Sequence, residues 1–581
     1  MPRLFYDLFP PLPLPEEMRQ WDAGAMALGL PEELLMENAA RAALDVLRVY
    51  WPELVGMRIW LLMGSGNNGG DAACLARHLL DAGAEVLVLH THPLSACKGA
   101  CGKHVRIARA AGVAFEPCRP AVFRRAGLPH IVIDGLLGTG FSGALRPDAL
   151  ELVRTVNALP NQPFVLALDI PSGLDGRTGL AMPEAIKAKA TVSFAAAKPG
   201  LVLPHARPWT GTLHARGIGI PLAVQRTAPC SFYALDGRSL SPLAQILPDG
   251  FKNSYGHVLI IGGAPGLGGA AHLAARAALR AGAGLVTATA PDAGIADIKN
   301  GWPEIMTLPL GEFQREWPAT LPTELIELLA RCAALVVGPG MGRGNDAAAF
   351  IDALLRLPHR PPTVFDADAL VLLAQRPDLL ERIAGHDVLT PHPGEAAALL
   401  GCTAAEIQAD RQGSLARLCG LCRGVVVLKG SASLVGQAHA PTLLCPYDVP
   451  QLAVGGSGDV LAGCTGGLLA RILPAMRVQS KNAVPHTTTK QHSSTAKILE
   501  AEILQPAHML AGQAVALHAL AGKSLAEQWP LRGNTPSALA DALPHTLSAY
   551  AGGFTTTQFA MHTTPHIHIS EFKDDILPWP R

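Results

Sequence analysis

The chain has no excess of charge of either sign: its 581 residues carry 47 Lys+Arg and 47 Asp+Glu. A nucleic-acid or anionic-membrane partner is drawn in by a basic field, so neither is expected. Charged residues make up only 16% against 49% hydrophobic ones, the balance of a globular enzyme rather than of a disordered chain. Long uncharged apolar runs are lacking. The stretch after Asp459 is broken by Arg471, short of the roughly 18 residues that a bilayer span needs. The opening MPRLFYDLFPPLPLPEEM has Asp7 and five prolines where a secretory signal needs a clean apolar core, so a cytoplasmic location is expected. A disulfide framework is not expected either, because the eleven cysteines are scattered and odd in number. Cys97, Cys101 and His104 fall at near-helical spacing, and Cys419 and Cys422 form a lone CxxC. Neither set has a second matching pair, so buried or idle thiols are expected in preference to a metal site.

The length calls for at least two cores. Short apolar runs alternate with Ala/Leu-rich helical stretches in both halves, which predicts parallel α/β layers. Arg58–Met63, Glu85–His90, Ile131–Asp134 and Phe164–Asp169 read as strands in the first half. His257–Ile261, Ala334–Val337, Thr363–Asp366, Val388–Thr390 and Val425–Leu428 read as strands in the second. The weakly periodic Pro221–Asp236 separates the two series, giving expected domains at 1–225 and 232–547. The polar stretch 478–497 reads as a mobile insertion. The segment 548–581, with His562, His566 and His568, reads as a loose His-rich tail.

Ligands in such sheets gather at the carboxyl ends of strands, and the unusual residues fall there. In the first half, RIWLLM runs into Gly64-Ser-Gly-Asn-Asn-Gly-Gly-Asp71, a strand–glycine turn–helix order suited to phosphate. Asp134 with Gly138, Thr139 and Gly140, and Asp169 with Ser172 and Gly173, follow two further strand ends. In the second half come Gly262-Gly263, Gly338-Pro-Gly-Met-Gly342, Asp366-Ala-Asp368, His392-Pro-Gly-Glu395 and Lys429-Gly-Ser-Ala-Ser433. The last is Gly455-Gly-Ser-Gly-Asp459, before an apolar helix expected to begin near Asp459. An aspartate repels phosphate, so it makes sense there as a base taking a proton from a hydroxyl that attacks a phosphoryl group. Taken alone, the same turn also reads as a plain helix cap.

The first half, from about Glu17 to Pro221, resembles the NAD(P)H-hydrate epimerase domain. The matching motifs are EMRQWD, LMENAA, GSGNNGGD, DGLLGTG, DIPSGLDGRTG and AAAKPGL. The resemblance implies a Rossmann-like α/β/α sandwich that binds hydrated nicotinamide nucleotide (NADHX and NADPHX). Its substrate contacts would be Asn67, Asn68, Gly69, Gly70 and Asp71, then Gly138, Thr139 and Gly140, and Asp169 as the acid–base group. A potassium ion would be held by Asn68, Asp134 and Ser172. Ala72 stands where the family usually has glycine.

The second half, from about Phe232 to Leu547, resembles the NAD(P)H-hydrate dehydratase domain of the ribokinase-like superfamily. It does so through YGHVLIIGG, GPGMG, DADAL, LTPHPGEAAALLG, VVVLKGSAS and AVGGSGDVLAG. The resemblance implies hydrate contacts at Ala270, Gly342, His392 and Asp459. Nucleotide contacts would fall on Lys429, Gly430, Ser431, Ala432, Ser433 and Gly458. A magnesium ion would be reached by Glu395 through water, ADP would be the phosphoryl donor, and the protein would form a homo-oligomer. Phe251-Lys252-Asn253 departs from the family's His-Lys-Gly. At this stage a vitamin-precursor or sugar kinase fused to an idle nucleotide-binding scaffold stays open.

Overall fold

The computed structural model describes residues 8–119, 122, 127–244, 246, 249–311, 315–482 and 494–551, with the side chains at 244, 472–505 and 551 excepted. The chain divides into two compact units, the division falling between Tyr233 and Ala234.

Among the described residues, the first unit holds β1 (Arg58–Met63), β2 (Glu85–His90), β3 (Ala114–Pro117), β4 (Ile131–Gly135), β5 (Phe164–Leu168), β6 (Ala190–Phe194) and β7 (Thr212–Arg216). They form one sheet in the order β3-β2-β1-β4-β5-β6-β7, with every pairing parallel. The apolar run of β1 serves two cores because successive side chains alternate faces. Ile59, Leu61 and Met63 pack with Met36, Ala39 and Ala43 of the helix Glu32–Tyr50 and with Leu75 of the helix Asn67–Asp81. Trp60 and Leu62 pack on the other side with Val132, Val165, Val153 and Val156. The strand order reverses between β1 and β4, and a crevice opens at their carboxyl ends.

The second unit holds β9 (His257–Ile261), β10 (Leu285–Pro291), β11 (Met306–Leu310), β12 (Ala334–Val337), β13 (Thr363–Phe365), β14 (Val388–Leu389), β15 (Val425–Leu428), β16 (Leu434–Gly436) and β17 (Thr442–Leu444). The sheet order is β11-β10-β9-β12-β13-β14-β15-β16-β17-β8, where β8 (Phe232–Ala234) is the strand within which the unit boundary falls. Pairing is parallel from β11 to β15 and antiparallel from β15 to β17. The switch point lies between β9 and β12. The helices Gly268–Arg280 and Ser457–Asn482 pack closely: a Cβ on Gly463 would come 2.0 Å from the Ala274 carbonyl oxygen.

Two local readings need adjusting. No strand was read between Ile261 and Ala334, yet β10 lies there, its Thr287 and Thr289 buried but too polar to show as an apolar run. The helix of the GGSGD turn begins at Ser457, two residues before Asp459. Of the stretch 478–497, residues 478–482 close the helix Ser457–Asn482 and 494–497 open the helix Ser494–Gln528; residues 483–493 lie outside the described residues. The tail beyond residue 551, with its three histidines, lies outside them too. No described helix is long and apolar enough to cross a membrane.

Candidate active sites

In the first unit the crevice is a cavity of about 890 Å³. The turns after β1, β4 and β5 line it with Asn67, Asn68, Asp71, Gly138, Thr139, Gly140 and Asp169. Gly69 and Gly70 do not line it; they let backbones approach. A Cβ on Gly69 would stand 2.0 Å from the Gly64 carbonyl oxygen, and one on Gly70 would stand 2.6 Å from Met36 Sδ. Asn67 and Asn68 open the helix Asn67–Asp81, so its unpaired N–H groups and positive dipole end face the cavity.

Asp169 sits just past β5 with φ at 62°, a left-handed conformation that few residues other than glycine, asparagine and aspartate adopt. Its Oδ1 meets the ammonium of Lys198, which is 1% exposed and also donates to Ser193 Oγ at 3.0 Å and to the Phe194 carbonyl at 3.2 Å. Lys198 lies in the AAAKPGL motif, but nothing in the sequence said that it is buried against Asp169. Two further carboxyls face this pair. Asp22 is pushed up to about 6 by burial, with Lys198 opposing and Asp169 reinforcing the shift. Asp71 is raised well above the ordinary carboxyl range by burial and then by Asp169, Asp22 and Glu32. The cavity thus joins one ion-paired carboxylate to two carboxyls raised above the ordinary carboxyl range.

Asp134 and Ser172 lie beside this lining. Ser172 donates to Asp134 through Oγ (2.6 Å) and through its backbone N–H (2.7 Å). The N–H of Leu137 donates to Ser172 Oγ at 2.9 Å, and Asn68 Nδ2 donates to the Leu137 carbonyl at 2.6 Å and to that of Leu168 at 3.1 Å. Asn68, Ser172 and Asp134 are therefore linked through Leu137. Burial raises Asp134 to about 6 against the hydrogen bonds from Ser172 and Leu136. Asn68 Oδ1 is buried with no partner. The orphaned Asn68 amide oxygen, on a residue joined through Leu137 to Ser172 and the buried Asp134, adds to an oxygen donor set that fits a hard cation.

In the second unit the site gathers at the ends of β12 to β15 and at the helix Ser457–Asn482. Lys429, just past β15, pairs with Asp366 Oδ1 at 2.7 Å and with Glu395 Oε2 at 3.7 Å. Thr390 Oγ1 donates to the same Asp366 oxygen at 2.7 Å. Burial alone would lower Lys429; Asp366 and Glu395 overcome it and raise the ammonium. Asp368 accepts from the Gly342 N–H at 2.9 Å and from Arg343 Nε at 2.7 Å. His392 caps the helix Pro393–Leu400 through Nδ1, and Glu395 Oε2 accepts from the His392 N–H at 2.8 Å. A Cβ on Gly340 would touch Ala270 at 3.2 Å, which sets the helix Gly268–Arg280 against the glycine turn after β12.

The GGSGD turn closes this group. A Cβ on Gly458 would stand 3.4 Å from Lys429 Nζ and 3.9 Å from Asp366 Oδ2. Burial raises Asp459 to about 7, reinforced by Asp366, Asp368 and Glu395 and opposed by Lys429. Burial likewise takes Glu395 to about 7. Four carboxylates (Asp366, Asp368, Glu395 and Asp459) face two cations (Lys429 and Arg343), an imbalance that fits a divalent cation. Arg411, not anticipated from sequence, fixes the loop after β15: its guanidinium donates to the carbonyls of Leu428, Lys429 and Ala432 at 3.1 to 3.4 Å. Gly430 and Ala432 take positive φ there. Asp366 and Asp368 stood in a quoted motif without a role; their signal was two aspartates at a strand end.

Residues 32–200 match the family described as YjeF-related protein N-terminus, and residues 258–544 match the family described as NAD(P)H-hydrate dehydratase. Over 462 residues the chain is 35% identical to the bifunctional NAD(P)H-hydrate repair enzyme Nnr of Coxiella burnetii, covering 79% of this chain and 89% of that one. It is 37% identical to the enzyme of the same name in Escherichia coli over 475 residues, 80% of this chain and 85% of the relative. A solved structure of the ADP/ATP-dependent NAD(P)H-hydrate dehydratase from Bacillus subtilis, co-crystallised with ATP and Mg2+, is 23% identical with a TM-score of 0.39. It covers 53% of this chain and 94% of that one.

Proposed function

The chain belongs to the family of bifunctional NAD(P)H-hydrate repair enzymes, and from that premise we propose how its two sites divide the work. The first unit interconverts the R and S forms of NADHX and NADPHX. The second returns the S form to NADH or NADPH with ADP as phosphoryl donor, releasing AMP and phosphate. We place the enzyme in the cytoplasm and, on family grounds alone, take it to be a homo-oligomer.

The observation that carries this reading is Asp459. It stands in the first turn of a helix, beside Lys429 and Asp366, with its carboxyl near neutrality. A base of that strength can take the proton of the ring hydroxyl as the hydroxyl oxygen attacks the terminal phosphoryl group of ADP. The phosphorylated ring carbon then loses phosphate with the push of the ring-nitrogen lone pair. Loss of a proton from the neighbouring carbon restores the double bond. The N–H groups of the GGSGD turn and of the Gly430–Ser433 loop receive the phosphates, with Lys429 held at their edge by Asp366. Ala270, Gly342 and His392 form the wall for the hydrate. Glu395, with Asp366 nearby, is the carboxylate that would reach a magnesium ion through water; the ion supplies charge neutralisation to the phosphates when bound.

In the first unit, Asp169 does acid–base work at the hydrated carbon with Lys198 as counter-ion. Asp71 and Asp22, which keep their protons to higher pH, act as donors. Asn67, Asn68 and the Gly138–Gly140 turn seat the nucleotide. Asn68 Oδ1, Asp134 and Ser172 would hold a potassium ion, which supplies a fixed positive charge near the substrate when bound.

The test is incubation of the protein with mixed-epimer NADHX and ADP or ATP, following absorbance and free phosphate. Recovery of the dihydronicotinamide from both epimers with one phosphate released per turnover is expected. A stable phosphorylated product without that recovery would overturn the dehydratase assignment in favour of a kinase. Recovery of one epimer only would remove the epimerase assignment.

A further inference from the structure

Behind the epimerase turn lies a polar cluster that the repair chemistry does not use. Three helices of the first unit, Glu32–Tyr50, Asn67–Asp81 and Gly99–Ala110, contribute Glu37, Cys74 and His104. One carboxylate oxygen, the thiol sulfur and one ring nitrogen of these residues all lie within 4.8 Å of one another. Among the described residues this is the group of three or more potential ligands that converges in this way. Cys97 and Cys101 do not belong to it, although spacing along the chain set them with His104.

The details are those of a ligand set. His104 is 4% exposed, and its Nε2 lies 3.2 Å from the Glu33 carbonyl oxygen. That bond places the ring proton on Nε2 and leaves Nδ1 with its lone pair free; Nδ1 is buried and has no partner. A metal-ligating histidine is oriented in just this manner, with its other nitrogen donating to a backbone carbonyl. Cys74 is 1% exposed, and its thiol donates to Glu37 Oε2 at 3.1 Å. Glu37 is half-buried and opens the cluster to solvent, so an ion has a way in. Arg77 Nη2 lies 2.9 and 2.7 Å from the two Glu37 oxygens, and His78 Nε2 lies 2.8 Å from Oε1. Both hold the carboxylate in place over Cys74.

We propose that Glu37, Cys74 and His104 form a zinc site that pins these three helices together behind the substrate turn. Sulfur, imidazole and carboxylate are the three ligand types zinc accepts, at about 2.0–2.3 Å each. Closing the present spread to a tetrahedron takes side-chain movement of the order of 1 Å, with water in the fourth position. Zinc displaces the Cys74 thiol proton, so one S–H bond breaks, one S–Zn bond forms and one proton is released per ion. Zinc competes with the thiol proton, so binding strengthens as pH rises. Arg77 opposes the incoming charge, but it also neutralises Glu37, so the ion meets one thiolate as its net anionic ligand. The helix Asn67–Asp81 that carries Cys74 begins with Asn67 and Asn68, so the ion would brace the helix that presents the cavity's asparagines.

The full-length protein, stripped with a chelator and dialysed, is titrated with Zn2+ and separately with Co2+. Wild type is expected to bind one Zn2+ that Cys74→Ala and His104→Gln each weaken by more than about a hundredfold, the upper end of what losing an outer-shell partner costs. Its Co2+ form should show a thiolate-to-cobalt charge-transfer band that Cys74→Ala abolishes. X-ray absorption on the one-zinc wild-type protein should give one sulfur neighbour, and this measurement stands even where a variant fails to fold. Zinc with no sulfur neighbour, or a charge-transfer band that survives Cys74→Ala, would overturn the proposal. A protein that retains no zinc at micromolar concentrations at pH 8 would overturn it equally.

Discussion

Replacing Asp459 by asparagine should cripple the enzyme and strengthen the protein in one step, and the two effects can be worked from the same group. Asp459 is half-buried and its carboxyl is raised from 3.8 to about 7. A carboxyl with a raised folded-state value favours folding below its unfolded value and opposes it as pH rises toward the folded value. Between pH 3.8 and 7 the native state holds a proton that the unfolded chain has released, so stability falls with rising pH. At about 1.36 kcal/mol per pH unit, the penalty relative to a neutral side chain is about 1.6 kcal/mol at pH 5 and levels off at about 4 kcal/mol above pH 7. Asparagine removes the penalty and keeps the shape. Its stabilising effect should therefore grow by about 2–3 kcal/mol between pH 5 and pH 8.5. The assay is calorimetry on the full-length protein, following the transition that added ADP shifts upward, for wild type and Asp459→Asn at both pH values. Dehydration should fall by several orders of magnitude in the same variant, while ADP still shifts that transition. A variant less stable than wild type at pH 8.5, or a gain that does not depend on pH, would refute the reasoning. NADH recovery that survives the substitution would remove Asp459 as the base.

Three other perturbations bear on the two sites. Lys198→Met leaves Asp169 as an uncompensated buried charge, costing about 3–5 kcal/mol of stability in the first unit; epimer exchange should be lost while recovery from the S form persists, which chiral separation of the epimers reads directly. Asp134→Asn removes the one carboxylate of the Asn68–Ser172 cradle, and stimulation of epimer exchange by potassium over sodium should vanish. Gly338→Ala puts a methyl 1.9 Å from the Asp366 carbonyl oxygen at a φ of 118°, so at least about 1 kcal/mol of strain is expected; because Asp366 holds Lys429, a rise in the KM for ADP should accompany it in steady-state assays.

Much of this arrangement is written locally. The strands Arg58–Met63, Glu85–His90 and Val425–Leu428 are apolar runs bounded by glycine or polar turns, and the structure has them at those bounds. Strands such as β10 and β6 escape the same reading because Thr, Ala and Ser fill them, and only the layers on either side make them interior. The glycine turns were visible for the same local reason, since positive φ at the end of a strand favours glycine, although Asp169 and Ala432 adopt it too. What sequence could not show is which charges meet. Lys198 and Asp169 are 29 residues apart, and Lys429 and Asp366 are 63 apart. Each pair is brought together only because parallel crossovers return every strand end to the same edge. Arg411 is hidden for a further reason: its partners are backbone carbonyls, which carry no sequence signal.

The burial of Lys198 has a practical use. An amine that donates to a carboxylate, a hydroxyl and a carbonyl at 1% exposure is shut off from acylating reagents in the closed unit. Surface lysines label at the reagent's own rate, whereas Lys198 can label only when the segment carrying it lifts away from Asp169. Its labelling rate, read by peptide mass, is therefore a clock for the opening of the nucleotide cavity. A bound nucleotide hydrate should slow that clock in proportion to how firmly it keeps the cavity shut.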